Sequence, residues 1–142
     1  MNYKEIHKDL FKMHPQYKLA QCISSDANMG AGIAELFDKK FNMKKKVLAY
    51  TGRERQYPTC IYIAQDGVFN LITKQNYWLK PTYATLTIAL EKMKSIALEK
   101  GIGKIAMPII GCGLDRLNWN HVSNIIRKVF ADTDISILIC KQ

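Results

Sequence analysis

Two short segments of the chain bring bare backbone to places where chemistry needs close approach. The run Ala106-Met-Pro-Ile-Ile-Gly-Cys-Gly-Leu-Asp115 is apolar until two glycines bracket Cys112, and a carboxylate then follows. The run Asn28-Met-Gly-Ala-Gly-Ile33 repeats the G-x-G pattern far upstream. Glycine lets the main chain come close to a ligand and aims successive N–H groups inward as an anion nest. A helix starting just after such a turn adds its favourable N-terminal dipole. Two such loops, each between a strand and a helix, suggest a diphosphate held from both sides. The dinucleotide fingerprint G-x-G-x-x-G is not met, because Ala34 and Glu35 follow Ile33, and there is no P-loop. Dehydrogenase and NTPase chemistry therefore fall away.

Other reactive residues are weaker signals. Cys112 resembles a nucleophile with His121 downstream, yet a cysteine between glycines is more often a small packing residue. Tyr77, Trp78, Tyr83 and Trp119 can stack on a base or pack in the core. His7, His14 and His121 show no metal-ligand spacing, so neither a metal nor a cofactor is expected. Cys22, Cys60, Cys112 and Cys140 form no C-x-x-C pair and read as reduced thiols of a cytoplasmic protein.

The chain has 142 residues and a formal net charge of +9. That length suits one domain spanning residues 1–142 with a sizeable core. No run approaches the roughly 18 apolar residues of a membrane span, and the first residues are too polar for a signal peptide. Much of the positive charge is local: Lys39, Lys40, Lys44, Lys45, Lys46, Arg53 and Arg55 face the single acid Glu54. Such a cluster favours an anionic partner, and Lys44, Lys45, Lys46, Arg53 and Arg55 are candidate DNA contacts. A solvated surface reads equally well.

These segments need a scaffold, and the pattern supplies one. Residues 17–23 are an apolar stretch leading into the first glycine loop. Helical spacing follows from Gly32 to Phe41, with Ile33, Leu36, Phe37 and Phe41 near one face. Residues 59–74 read as a β-hairpin turning at Gln65-Asp66-Gly67. Pro81 suits the first turn of a helix that ends at Gly101. A buried strand over Lys104–Ile110, a helix capped by Asn118 and a final strand over Ile135–Cys140 complete the chain. Alternating strands and helices imply right-handed crossovers, and the hairpin makes the sheet mixed.

Taken together, CISSDANMGAGIAELFDKKF, NLITK, KPTYATLTIALEKMKS and MPIIGCGLDRLNW resemble a macrodomain of the terminal ADP-ribose protein glycohydrolase subgroup, which is similar to the antitoxin macrodomains that reverse DNA ADP-ribosylation. The resemblance implies a three-layer α/β/α sandwich with a mixed central sheet and a cleft for ADP-ribose. It assigns catalysis to Lys74 and Asp115. It assigns adenine to Asp9 with Leu10, and more weakly to Gln142. Around the distal ribose and diphosphate it places Ser24, Met29, Gly30, Ala31, Gly32 and Ile33 in the first loop. The second loop contributes Pro108, Ile109, Ile110, Gly111, Cys112, Gly113 and Leu114. Lys8 departs from the glycine that many macrodomains carry before the early aspartate. The paired asparagines of another macrodomain hydrolase class are absent, which favours the lysine route.

The chemistry fits those residue types. The anomeric carbon of a substituted ribose, or its opened aldehyde, is an electrophile that a neutral amine can attack. A carboxylate nearby can shuttle protons. The expected activity is hydrolysis of ADP-ribose from acidic side chains, nucleobases or acyl esters by a monomer acting on ADP-ribosylated protein or nucleic acid. A non-catalytic ADP-ribose reader and an ADP-ribose 1″-phosphate phosphatase are the alternatives, and a basic nucleic-acid-binding module is a third.

Overall fold

The computed structural model describes residues 1–113 and 115–142. Its strands are β1 (Asn2–His7), β2 (Lys18–Ser24), β3 (Thr59–Ile63), β4 (Val68–Lys74), β5 (Lys104–Met107) and β6 (Ser136–Lys141). Its helices are α1 (Gly32–Phe41), α2 (Met43–Leu48), α3 (Tyr83–Glu99) and α4 (Trp119–Phe130). The six strands form one sheet in the order β1-β6-β5-β2-β4-β3. Every neighbouring pair is parallel except β3 with β4, so the sheet is mixed, as the hairpin required.

Period-two alternation assigns the two faces. In β4, Val68 and Ile72 join Phe37 of α1 and Met43 and Val47 of α2 in one core. Phe69 and Leu71, pointing the other way, meet Leu86, Leu90 and Met93 of α3 and Ile126 and Phe130 of α4 in a second core. The sheet thus lies between two helical layers, an α/β/α sandwich. Interior β4 is buried over all but its last residue, and its buried Asn70 accepts a hydrogen bond from Gln21 Nε2 of β2 at 2.9 Å.

The element ends differ from expectation for local chemical reasons. Pro81 is buried but lies outside α3, because Thr82 caps the helix and exchanges reciprocal hydrogen bonds with Thr85. The strand expected over Lys104–Ile110 stops at Met107, since Pro108 has no N–H to continue the ladder. Besides a single 3-10 turn at Leu10–Lys12, one strand and one helix were not anticipated. Edge strand β1 is polar and half exposed, while α2 buries only Met43 and Val47 of its six residues.

Candidate active site

The parallel strands β2, β4, β5 and β6 end along the same edge of the sheet. From β2 the chain enters α1 on one face, whereas β4 and β5 lead to α3 and α4 on the other. Chains diverging to opposite faces leave a crevice beyond the carboxyl ends of the strands. A cleft of about 540 Å³ opens there, lined by the ends of β2, β4 and β6 and by both glycine loops. That volume is within the usual range for a small-molecule site.

Lys74, the last residue of β4, and Asp115, beyond the second glycine loop, meet inside this cleft. Lys74 Nζ donates to Asp115 Oδ1 at 2.6 Å, and the two side chains are only 14% and 15% exposed. A register shift between Ile23 and Ser24 sits where β2 pairs with the end of β4. Irregularities of this kind re-aim side chains at strand ends. The pair joins residues 41 positions apart, so one contact couples the hairpin strand to the second loop.

The second loop depends on its first glycine. Gly111 has φ +72°, and a Cβ there would meet the Leu117 side chain at 3.1 Å. The turn is closed by Leu117 N–H donating to Gly111 C=O at 2.7 Å. Gly113 needs neither a positive φ nor extra room, and its bare backbone is exposed on the cleft wall.

The first loop is fastened by a residue that sequence reasoning missed. Asp26 accepts hydrogen bonds from the Ser24 hydroxyl, from Asn28 N–H at 3.1 Å and from Tyr77 N–H at 3.1 Å. Burial pushes its carboxyl upward, but these hydrogen bonds and the Lys74 charge outweigh that and hold it below the usual range. The adjoining backbone repeats the link, with Ser25 N–H donating to Lys74 C=O and Asp26 N–H to Gln75 C=O. The first loop and the segment leaving Lys74 are therefore one fastened unit. The signal in the sequence is only Ser-Ser-Asp-Ala-Asn, a turn-forming composition.

Most expected binding residues reach the cleft. Ser24, Gly30, Ala31, Gly32 and Ile33 line one side, and Pro108, Ile109, Ile110, Gly111 and Gly113 line the other. A second hollow of about 580 Å³ shares Ile33 and Gln142 with the cleft and adds Asp9, Phe11, Leu36, Lys39 and Lys40. Asp9 is exposed there and also accepts Phe11 N–H at 3.0 Å.

Three expected residues sit differently. Leu10 and Met29 are 0% and 3% exposed in the α1–α2 core, so their side chains shape the site from behind. Cys112 packs against the opposite core and is absent from the cleft lining. Burial pushes its thiol up, and the Asp115 carboxylate pushes it further, which opposes a thiolate nucleophile. His121 stacks on Tyr83 at 3.9 Å between ring centroids, and Trp119 donates to Glu5. Leu114 lies outside the described residues.

The basic segment divides. Lys46 Nζ is 2.6 Å from Asp66, and Arg55 donates to the Ser25 and Tyr50 carbonyls. Lys44, Lys45 and Arg53 remain exposed. Among the described residues no three His, Cys, Asp or Glu side chains gather as a metal site, and no helix is long and apolar enough to cross a membrane.

No family model matches the chain. It is 44% identical over 133 residues to ADP-ribose glycohydrolase OARD1 of Homo sapiens, covering 92% of this chain and 86% of that protein. The Bos taurus protein of the same name matches to the same extent. In fold it resembles the macrodomain of Thermus aquaticus DarG, with a TM-score of 0.86 at 19% identity over 99% of this chain and 98% of that one. It also resembles Thermosipho africanus DarTG, solved in complex with ADP-ribose, with a TM-score of 0.84 at 18% identity over 99% of this chain and 42% of that one. A cleft at the strand ends, a lysine and an aspartate joined across it, and this extent of shared sequence lead to one conclusion: the chain has a macrodomain fold and belongs to the ADP-ribose glycohydrolase OARD1 family.

Proposed function

We propose that this chain is a hydrolase that releases ADP-ribose from a modified acceptor, with Lys74 as nucleophile and Asp115 as proton carrier. The observation that carries the reading is the 2.6 Å contact between Lys74 Nζ and Asp115 inside a cleft walled by two glycine loops. The family relation supports the substrate, because the curated relatives are named ADP-ribose glycohydrolases. The two hollows joined at Ile33 and Gln142 give an elongated site. Adenine at the Asp9 end would set the diphosphate against the loops and the distal ribose beside Lys74.

The reaction follows from that placement. A proton moved along the hydrogen bond from Nζ to Asp115 leaves a neutral amine facing the anomeric carbon. Attack by the amine forms a C–N bond while the bond from that carbon to the acceptor breaks, its electron pair leaving with the acceptor. Asp115 protonates the departing group. Water then adds to the lysine-bound carbon, Asp115 takes its proton, and cleavage of the C–N bond returns Lys74 and free ADP-ribose.

Wild type and Lys74→Arg should be compared on an ADP-ribosylated peptide, an ADP-ribosylated oligonucleotide and O-acetyl-ADP-ribose. Arginine keeps the charge but cannot serve as a neutral amine. Loss of release with ADP-ribose binding retained supports the covalent route, whereas near-normal release by the arginine variant would refute it. Binding of ADP-ribose with no turnover of any substrate by wild type would make the chain a reader. DNA contact through the basic segment rests on Lys44, Lys45 and Arg53, since Lys46 and Arg55 are held within the protein. Neutralising those three should flatten the salt dependence of oligonucleotide binding.

A further inference from the structure

The carboxyl end of β6 brings a cation to the cleft that the proposed reaction does not use. Among the described residues three lysines line this cavity: Lys74, Lys80 and Lys141. Lys74 is engaged with Asp115, and Lys80 belongs to the segment leaving Lys74. Lys141 comes from a different strand, as the last residue of β6, and its side chain is 33% exposed. Its Nζ lies 3.0 Å from Glu5 Oε1 on the neighbouring strand β1.

Glu5 has donors besides that lysine. Its other oxygen, Oε2, accepts the Tyr3 hydroxyl at 2.7 Å and Trp119 Nε1–H at 3.3 Å. The Arg127 guanidinium lies over the Tyr3 ring, 4.3 Å from its centroid, and braces that donor. The Tyr3 hydrogen bond is the largest influence holding the Glu5 carboxyl below the usual range. Burial opposes it, and Lys141 and Trp119 add to it. The carboxylate therefore keeps its charge and two donors when Lys141 turns away. The flexible lysine stem lets Nζ exchange Glu5 for another anion in the cleft.

Position decides which anion. Gln142 lines both the cleft and the hollow beside Asp9, whereas Lys141, one residue earlier, lines the cleft alone. With adenine at the Asp9 end and the distal ribose beside Lys74, the group that passes this joint is the phosphate next to adenosine. Lys74 gives up its proton in the reaction, and the glycine loops offer only neutral N–H groups. We propose that Lys141 is the cation that binds the adenosine-side phosphate of ADP-ribose, and that Glu5 holds its ammonium group until ligand arrives. The inference deepens the hydrolase reading and rests on its placement of ADP-ribose.

The test is titration calorimetry with ADP-ribose, AMP and adenosine, since only the first two carry that phosphate. Lys141 trades one anion for another on binding, so only part of a charged hydrogen bond is at stake. Lys141→Met should weaken ADP-ribose and AMP by about three- to tenfold, with adenosine changed less than about twofold. Lys141→Arg keeps a cation and should recover most of that loss. Glu5→Gln should act in the opposite direction. Its amide oxygen can still accept from Tyr3 and Trp119, while Lys141 is freed, so ADP-ribose and AMP should bind about two- to fivefold more tightly. Equal weakening of all three ligands by Lys141→Met, no weakening of any, or weaker ADP-ribose binding by Glu5→Gln would overturn the assignment. Wild type that binds ADP-ribose yet releases it from no modified substrate would sink the hydrolase reading and leave Lys141 in its role. Wild type that does not bind ADP-ribose would sink both.

Discussion

Two lysine–aspartate pairs in this molecule have the same length and different neighbourhoods. Lys74–Asp115 and Lys46–Asp66 both measure 2.6 Å, and all four side chains are less than a quarter exposed. Lys46–Asp66 ties α2 to the turn of the β3–β4 hairpin. Lys74–Asp115 lies in a cleft at a strand end, between glycine loops. The pair itself does not make a site. What separates the two is room: a cleft of about 540 Å³, walled by both glycine loops, opens beside the Lys74 amine.

The largest effects should come from removing each partner of the cleft pair. Lys74→Ala should lower kcat by about a thousandfold or more, with ADP-ribose affinity largely kept, because the amine acts in bond breaking rather than in binding. Asp115→Ala should stop turnover as well. It should also let a lysine–ribose adduct accumulate, visible as a mass increase on the intact protein, because solvent can take the Nζ proton for the attack whereas the water step has lost its base. Release by Asp115→Ala at the wild-type rate, measured as free ADP-ribose, would assign proton transfer elsewhere.

A smaller effect is expected at Asp26, which holds the first loop against the segment carrying Lys74. Asp26→Asn keeps the shape but turns one acceptor into a donor, so one of three hydrogen bonds to a charged group fails. Such bonds contribute about 1.5–3 kcal/mol each, so kcat/KM should fall at least about tenfold. The pH dependence carries a sign. The folded carboxyl is held below the unfolded aspartate value of about 3.9, so its stabilisation is complete above that pH and is lost as pH falls through the folded value. The melting-temperature gap between wild type and Asp26→Asn should therefore be widest near neutrality and close toward strongly acid pH. A gap that widened on acidification would contradict the hydrogen-bonded carboxylate.

These cases also show what a sequence reveals. The sandwich was legible because buried strands alternate: Val68 and Ile72 take one core, Phe69 and Leu71 the other. Strand β1 and helix α2 escaped notice because each buries too little to leave a pattern. Both glycine loops announced themselves by composition, since Gly111 must adopt a positive φ. The meeting of Lys74 with Asp115 did not, because side-chain contact over such a separation is set by topology; only resemblance singled them out. Asp26 was invisible for another reason. Two of its partners are main-chain N–H groups, which no residue type encodes. The basic run misled in the opposite sense, for Lys46 and Arg55 look like surface cations and are held by the fold.

The smallest effect belongs to the second pair and completes the comparison. Lys46→Ala removes a partner from an ion pair that is mostly shielded yet lies at the surface, where such pairs contribute about 0–1 kcal/mol. The asymmetry of removal adds to this, because Asp66 stays partly covered at 14% exposure with its charge less compensated. A destabilisation of about 1 kcal/mol is expected, a shift in melting temperature of about 2–8 °C. Lys46→Ala with Asp66→Asn together should recover part of that loss, since no uncompensated carboxylate remains. Turnover at temperatures well below melting should match wild type in both variants. If Lys46→Ala instead lowered kcat as Lys74→Ala does, the neighbourhood would not be what distinguishes the two pairs. If it weakened only oligonucleotide binding, Lys46 would belong with Lys44, Lys45 and Arg53 despite its partner.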